Sequence, residues 1–139
     1  MGRRVSHKTF VDTQFVVALV NRRDQHHQRA AELSFAFSGS RLITTEQILI
    51  EITDALAGHF RRESIQLIEF FRRAENVEIV PLTPTLIQEA FALYCERPDK
   101  TWGMTDCVSF VVMRRENVGQ ALTHDQHFEQ AGFKALLRE

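Results

Sequence analysis

Cysteine is scarce. The two present, Cys95 and Cys107, sit among apolar neighbours with no CxxC or Cys/His ligand spacing. That excludes a disulfide framework and a thiolate zinc site, and predicts buried free thiols in a reducing compartment. The three prolines do not divide the chain, and no repeat, low-complexity tract or Gly/Ser linker occurs. One domain over 1–139 is the expectation. No apolar run approaches the roughly 18 residues that a membrane span needs. An excess of one charge is also missing: the formal net charge is −1, so no global field draws the chain to nucleic acid. The start "MGRRVS" matches the short patterns of myristoylation and, at Arg3-Arg4, of twin-arginine export. The nearby segment "TFVDTQFVVALV" (9–20) holds Asp12 and Gln14 and no small-residue cleavage site. A soluble cytoplasmic protein without membrane contact is expected.

What is present is an ordinary globular composition, 44% hydrophobic and 25% charged. The cations are unevenly chosen, fourteen Arg against three Lys. Arg grips phosphate and carboxylate with a planar fork, although a GC-rich coding bias produces the same count.

Apolar runs ending in polar residues alternate with helical spacing. Strands are predicted at 8–13, 41–45, 77–82 and 119–123, with a short fifth at 133–137 on the sheet edge. Helices are predicted at 14–23, 24–37 (capped by Asp24), 46–60, 63–75, 83–96 and 104–117. Thr83 reads as an N-cap with Pro84 at the first helical position. The helix at 104–117 is apolar on nearly every side and should be buried. Strands separated by helices imply right-handed crossovers and a mainly parallel sheet covered on both faces. In such sheets functional groups gather beyond the strand C-termini.

Four acids fall there. Asp12 ends the first strand, and Asp125 lies just past the fourth. Asp106 occupies the first turn of its helix. On a wheel of 46–60, Ile48, Leu49, Ile52, Ala55 and Leu56 form the apolar stripe, and Glu51 lies about 40° from Ala55 at its margin. Each acid alone has a plain explanation: a turn residue, a helix N-terminus, a cap of a short helix 126–131, a solvated helix position. Together they are harder to explain so, because clustered carboxylates raise one another's pKa or need a cation. Oxygen donors of this kind select Mg²⁺ or Mn²⁺ over Zn²⁺.

The segments "FVDT" (10–13), "ILIEITDAL" (48–56), "MTDCVSFVVM" (104–113) and "ALTHDQHFEQAGF" (121–133) resemble the four acidic motifs of PIN-domain ribonucleases, and among them the VapC-like toxins of toxin–antitoxin pairs. Order, spacing and length fit across essentially the whole chain. The resemblance implies a three-layer α/β/α sandwich with a central, mainly parallel sheet of four to five strands. It implies an endoribonuclease that uses one or two Mg²⁺ or Mn²⁺ ions, held by Asp12, Glu51, Asp106 and Asp125. Thr13, Thr105 and Thr123 adjoin three of these acids and are candidates to hold them in place, Thr105 foremost. Asp99 is a fifth acid that a loop could bring to the rim. RNA contacts are sought in Arg22-Arg23, Arg61-Arg62, Arg72-Arg73 and Arg114-Arg115, and in Lys100 and Trp102, the latter as a base-stacking platform or as plain packing. A small antitoxin and a second copy of the chain are the implied partners, with the apolar faces of 14–20 and 63–71 available to them or to the core.

Other readings fare worse. A haloacid-dehalogenase-type phosphotransferase needs a second Asp at position 14, where Gln stands. A receiver domain needs an Asp at the end of "VEIVPLT". His124 and His127 form an HxxH pair without an evident third zinc ligand, and His26-His27 read as surface residues. A catalytically silent PIN fold that binds RNA or protein is the alternative; the presence of all four acids argues against it.

Overall fold

Strands form where short apolar runs can be buried on both sides. In the computed structural model, which describes residues 7–139, these are β1 (Thr9–Val11), β2 (Leu42–Thr45), β3 (Val77–Val80), β4 (Gln120–Leu122) and β5 (Lys134–Ala135). The targeting patterns at 1–6 lie outside the described residues. The sheet order is β3-β2-β1-β4-β5, and every pairing is parallel. The short fifth strand therefore exists and lies at an edge, as expected.

Seven α-helices connect these strands: α1 (Thr13–Val20), α2 (His27–Ala36), α3 (Glu46–Leu56), α4 (Arg61–Arg73), α5 (Pro84–Glu96), α6 (Met104–Arg115) and α7 (Gln126–Gln130). From β1 to β3 the chain steps one way across the sheet; from β4 to β5 it steps the other way. Right-handed crossovers then put α1–α4 on one face and α5–α7 on the other. The packing agrees: α1 meets α2 and α3, α3 meets α4, and α6 meets α5 and α7. The reversal falls between β1 and β4. Beyond the carboxyl ends of these two strands lies the crevice where sheets of this kind place ligands.

Aromatic packing holds that edge in place. Phe128 of α7 meets Phe110 of α6 edge-on, with centroids 5.0 Å apart, and Phe10 of β1 at 6.2 Å. All three rings are essentially fully buried. Burial of each is worth about 2–3 kcal/mol, with a further ~1 kcal/mol for the edge-to-face geometry. α6 buries Cys107, Val108, Phe110, Val112 and Met113, which fits its all-round apolar sequence.

Local chemistry sets the helix limits. Thr83 accepts from the Leu86 N–H with Pro84 beside it, as expected. Thr45 caps α3 in the same way through Ile48. α1 stops at Val20 instead of 23, because Asn21 turns extended and its side chain accepts from the Arg23 N–H. Asp24 does not cap α2. Its carboxylate binds the His26 N–H inside the preceding turn, and α2 starts at His27. Gly39 and Gly132, at φ +81° and +94°, close the turns into β2 and β5 in a conformation that side chains disfavour. Two smaller expectations fail. Cys95 is exposed while Cys107 is buried, and Ala55 is exposed beside the buried stripe of Ile48, Leu49, Ile52 and Leu56. Among the described residues, no helix is long and apolar enough to cross a membrane.

Candidate metal centre

Asp12 directly follows β1, and its backbone is extended (φ −99°, ψ 159°). It stands at the N-cap position of α1, yet its carboxylate caps nothing there. It receives instead the Thr123 hydroxyl at 2.7 Å, from the residue immediately after β4. Asp12 is only 8% exposed. Burial pushes its carboxyl from 3.8 up to about 7, and the Glu51 and Asp125 charges push the same way against the Thr123 bond and the Thr13 N–H.

The other three acids come from three separate helices or helix ends. Glu51 is half-buried on α3; Thr13 donates to its Oε1 at 3.1 Å, and the Thr105 hydroxyl also bonds it. Burial raises its carboxyl above the usual range, with the Asp106 charge adding. Asp106, in the first turn of α6, accepts the Gly103 N–H at 3.1 Å through Oδ2. Its carboxyl is raised as well, by burial first and then by Asp125, against the Gly103 and His127 contacts. Asp125 caps α7 by accepting the His127 N–H at 2.9 Å, and its own N–H reaches Thr123 at 3.1 Å.

Asp12, Glu51 and Asp106 thus each feel another of the four acids, and Asp125 is a charge felt by both Asp12 and Asp106. The plain explanations hold too, because Asp106 and Asp125 both stabilise helix starts. A helix start aimed at the rim of a switch point serves both purposes at once. Ligand atoms of Asp106, Asp125 and His127 lie within 4.8 Å of one another. Acids held this close and partly desolvated are costly to ionise together without a cation. Their oxygen donors suit Mg²⁺ or Mn²⁺, so the residues fit such an ion.

The other predicted residues, the threonines apart, are elsewhere. Asp99 is exposed and locked in a two-pronged pair with Arg97 at 3.0 and 2.9 Å, which holds its carboxyl down at about 2. It is not among the charges that displace the acids. Trp102 is buried, edge-on to Phe110 at 5.0 Å, with its indole N–H donated to Gln130. Its ring is therefore unavailable to a base, and packing is its role. Lys100 lies beside Asp99 and lines a surface groove with Phe91, Tyr94 and Cys95. Arg22 and Arg23 line another groove with His59, Phe60 and Glu63. Arg114 and Arg115 are exposed in the last turn of α6, about 12–14 Å along the helix axis from Asp106. These arginines sit at the far ends of the helices that begin at the acids.

Of the three threonines, Thr105 bonds Glu51, but Thr123 is the more central: it is fully buried and ties Asp12 to Asp125. The histidines divide. His124 stacks on His26 with centroids 3.9 Å apart, and burial followed by the His26 charge lowers its pKa. His127 turns its ring to Asp106 and Asp125. Setting the pair aside for want of a third zinc ligand left this role of His127 unseen. The available signal was His two residues after a capping Asp, a spacing that turns the side chain back toward the cap.

The fold and the site have known counterparts. The model of the PIN domain matches residues 9–134. The 23S rRNA-specific endonuclease VapC20 of Mycobacterium tuberculosis is 27% identical over 124 residues, covering 89% of this chain and 94% of that protein. The crystal structure of M. tuberculosis VapC20, described as a Sarcin-Ricin loop cleaving toxin, superposes with a TM-score of 0.80 at 26% identity, over 90% of this chain and 95% of that one. VapBC2 of Rickettsia felis, solved with a promoter DNA fragment, shares the fold at a TM-score of 0.64 and 14% identity, over 92% and 96% of the two chains. With four acids at the switch point of this sheet and a family match over nearly its whole length, the chain belongs to the PIN-domain family.

Proposed function

We propose that this chain is a divalent-metal-dependent endoribonuclease, the toxin of a VapC-like toxin–antitoxin pair, acting as a single PIN domain over 1–139. The observation that carries the reading is the convergence of Asp12, Glu51, Asp106 and Asp125 at the switch point of a PIN fold, with Asp12 buried and its carboxyl pushed up to about 7. These four residues would hold one or two Mg²⁺ or Mn²⁺ ions. When bound, such an ion lowers the pKa of water and offsets charge on a phosphodiester. Thr123 orients Asp12, while Thr13 and Thr105 orient Glu51. Until a cation balances them, the acids repel a phosphate backbone, so RNA binding should come after metal binding. Lys100 is the cation we assign to RNA near the loop before Asp106. Arg22, Arg23, Arg114 and Arg115 would grip backbone farther from the cleaved bond.

The likeness to VapC20 supports 23S rRNA as the first substrate to test. The VapBC neighbours support a cognate antitoxin. An apolar cavity of about 210 Å³ under Phe15, Leu19, Phe37, Leu67 and Phe70 is the surface we assign to it. The exposed α5 residues Ile87, Phe91 and Tyr94 are our candidates for contact with a second copy, which light scattering would reveal as a homodimer. The central test is Mn²⁺-dependent cleavage of ribosomal RNA by the wild type, Asp12→Asn and Asp106→Asn. The reading requires loss of cleavage in both variants and on chelation. Cleavage that survives both substitutions, or needs no divalent ion, refutes it. RNA binding without cleavage by the wild type would favour the silent module.

A further inference from the structure

His127 belongs to the acidic centre without being one of its acids. Its Nδ1 lies 3.0 Å from Asp106 Oδ2 and 3.4 Å from Asp125 Oδ1. Its Nε2 lies 3.2 Å from the Thr101 hydroxyl oxygen. An ionised carboxylate only accepts, so the Nδ1 between two of them must carry a hydrogen. In a neutral imidazole the lone pair is then on Nε2, where the Thr101 hydroxyl can donate. We infer that His127 is a positioning residue, an imidazole whose Nδ1–H clamps Asp106 against Asp125 and whose ring is itself braced by Thr101. The inference deepens the metal-centre reading and rests on it.

The clamp links elements that have no covalent reason to keep register. Asp106 is on α6, Asp125 and His127 are at the start of α7, and Thr101 is in the loop 97–103. A second tie, from the His127 backbone N–H to Asp125 Oδ1 at 2.9 Å, fixes the imidazole relative to the cap. The imidazole and the Gly103 N–H both converge on Asp106 Oδ2, so Oδ1 is the oxygen these bonds do not engage. With Nδ1 facing the two acids and Nε2 facing the Thr101 hydroxyl, both ring nitrogens of His127 are already engaged within the protein. It orients oxygen donors instead of adding a nitrogen donor. Groups that hydrogen-bond metal-binding carboxylates typically change metal affinity or activity about 10- to 100-fold when removed.

Two isosteres separate the ring nitrogens. Asn places an N–H where Nδ1 stands, and Gln places its polar end where Nε2 stands. Mn²⁺ affinity of the full chain should be measured by titration calorimetry for the wild type, His127→Asn and His127→Gln. We expect Asn to stay within a few-fold of wild type and Gln to lose about 10- to 100-fold. Equal weakening in both would mean that the imidazole ligates the ion. Wild-type affinity in both would mean that it does nothing, and either result overturns the clamp. Ring ¹⁵N spectra of the metal-free protein at about pH 8, above the ordinary imidazole range, should show the proton on Nδ1. A proton on Nε2 overturns the proposal independently of any metal. Should wild type fail to bind Mn²⁺, the metal-centre reading falls, while the ring spectrum still decides the clamp. If His127→Gln does not fold, Thr101→Val loosens the same brace from its outer end and should weaken Mn²⁺ binding.

Discussion

Replacing Asp12 with Asn should stabilise the metal-free protein, and the gain should appear as pH rises. Asp12 is 8% exposed, and its carboxyl is pushed from 3.8 in the open chain to about 7 in the fold. Because the folded value is the higher one, the folded state holds the proton more tightly. The stability that this confers is complete below about pH 4 and is lost as pH rises through about 7. A displacement of this size corresponds to a ceiling of about 4 kcal/mol. Asn has no proton to lose, and its amide oxygen can still accept the Thr123 hydroxyl. Wild type and variant should therefore be close below about pH 4. The variant should pull ahead between about pH 4 and 7 and level off above, by up to ~4 kcal/mol. Urea denaturation in the presence of a chelator, at intervals across that range, measures the difference directly. Millimolar Mn²⁺ should then narrow or reverse it, since an ion at 100 times its Kd stabilises the wild type by about 2.7 kcal/mol. A difference that is flat with pH, or a variant less stable than wild type at about pH 8, would show that Asp12 is not a desolvated acid and would refute the argument.

Single contacts give further expected outcomes. Thr123→Val removes the donor to Asp12 and the acceptor for the Asp125 N–H, so denaturant midpoints should fall by the equivalent of about 1–3 kcal/mol. Phe128→Ala opens a cavity between Phe10 and Phe110 and loosens the start of α7. It should cost about 3–5 kcal/mol in the same assay and also weaken Mn²⁺ binding. Asp99→Ala breaks only exposed pairs with Arg97 and Lys100, so Mn²⁺-dependent cleavage and the denaturant midpoint should both be unchanged.

Much of this molecule is legible in its sequence because the signals are local. Apolar runs with polar ends set the strands, Thr83-Pro84 starts α5, and the alternation of elements implies a parallel sheet. Strand-end placement singled out Asp12 and Asp125 as well. Where prediction failed, a side-chain partner that periodicity does not reveal was responsible. For Trp102 the sequence left base stacking and packing open, and Phe110 and Gln130 decide for packing. Asp99 looked like a fifth acid, but Arg97 captures it. Arg22-Arg23 and Arg114-Arg115 were candidates for RNA contact, but α1 and α6, which start at the acids, carry them away from the centre.

By itself the sequence determined which residue types the centre has and, through periodicity, which ends of which elements carry them. Only the tertiary structure decided their company. Thr123 joins Asp12 across 111 residues, Thr13 joins Glu51 across 38, and His127 joins Asp106 across 21. Periodicity tells which way a side chain points from its own element. Desolvation and hydrogen bonding depend on what another element places opposite, and here that is set by the reversal of direction between β1 and β4.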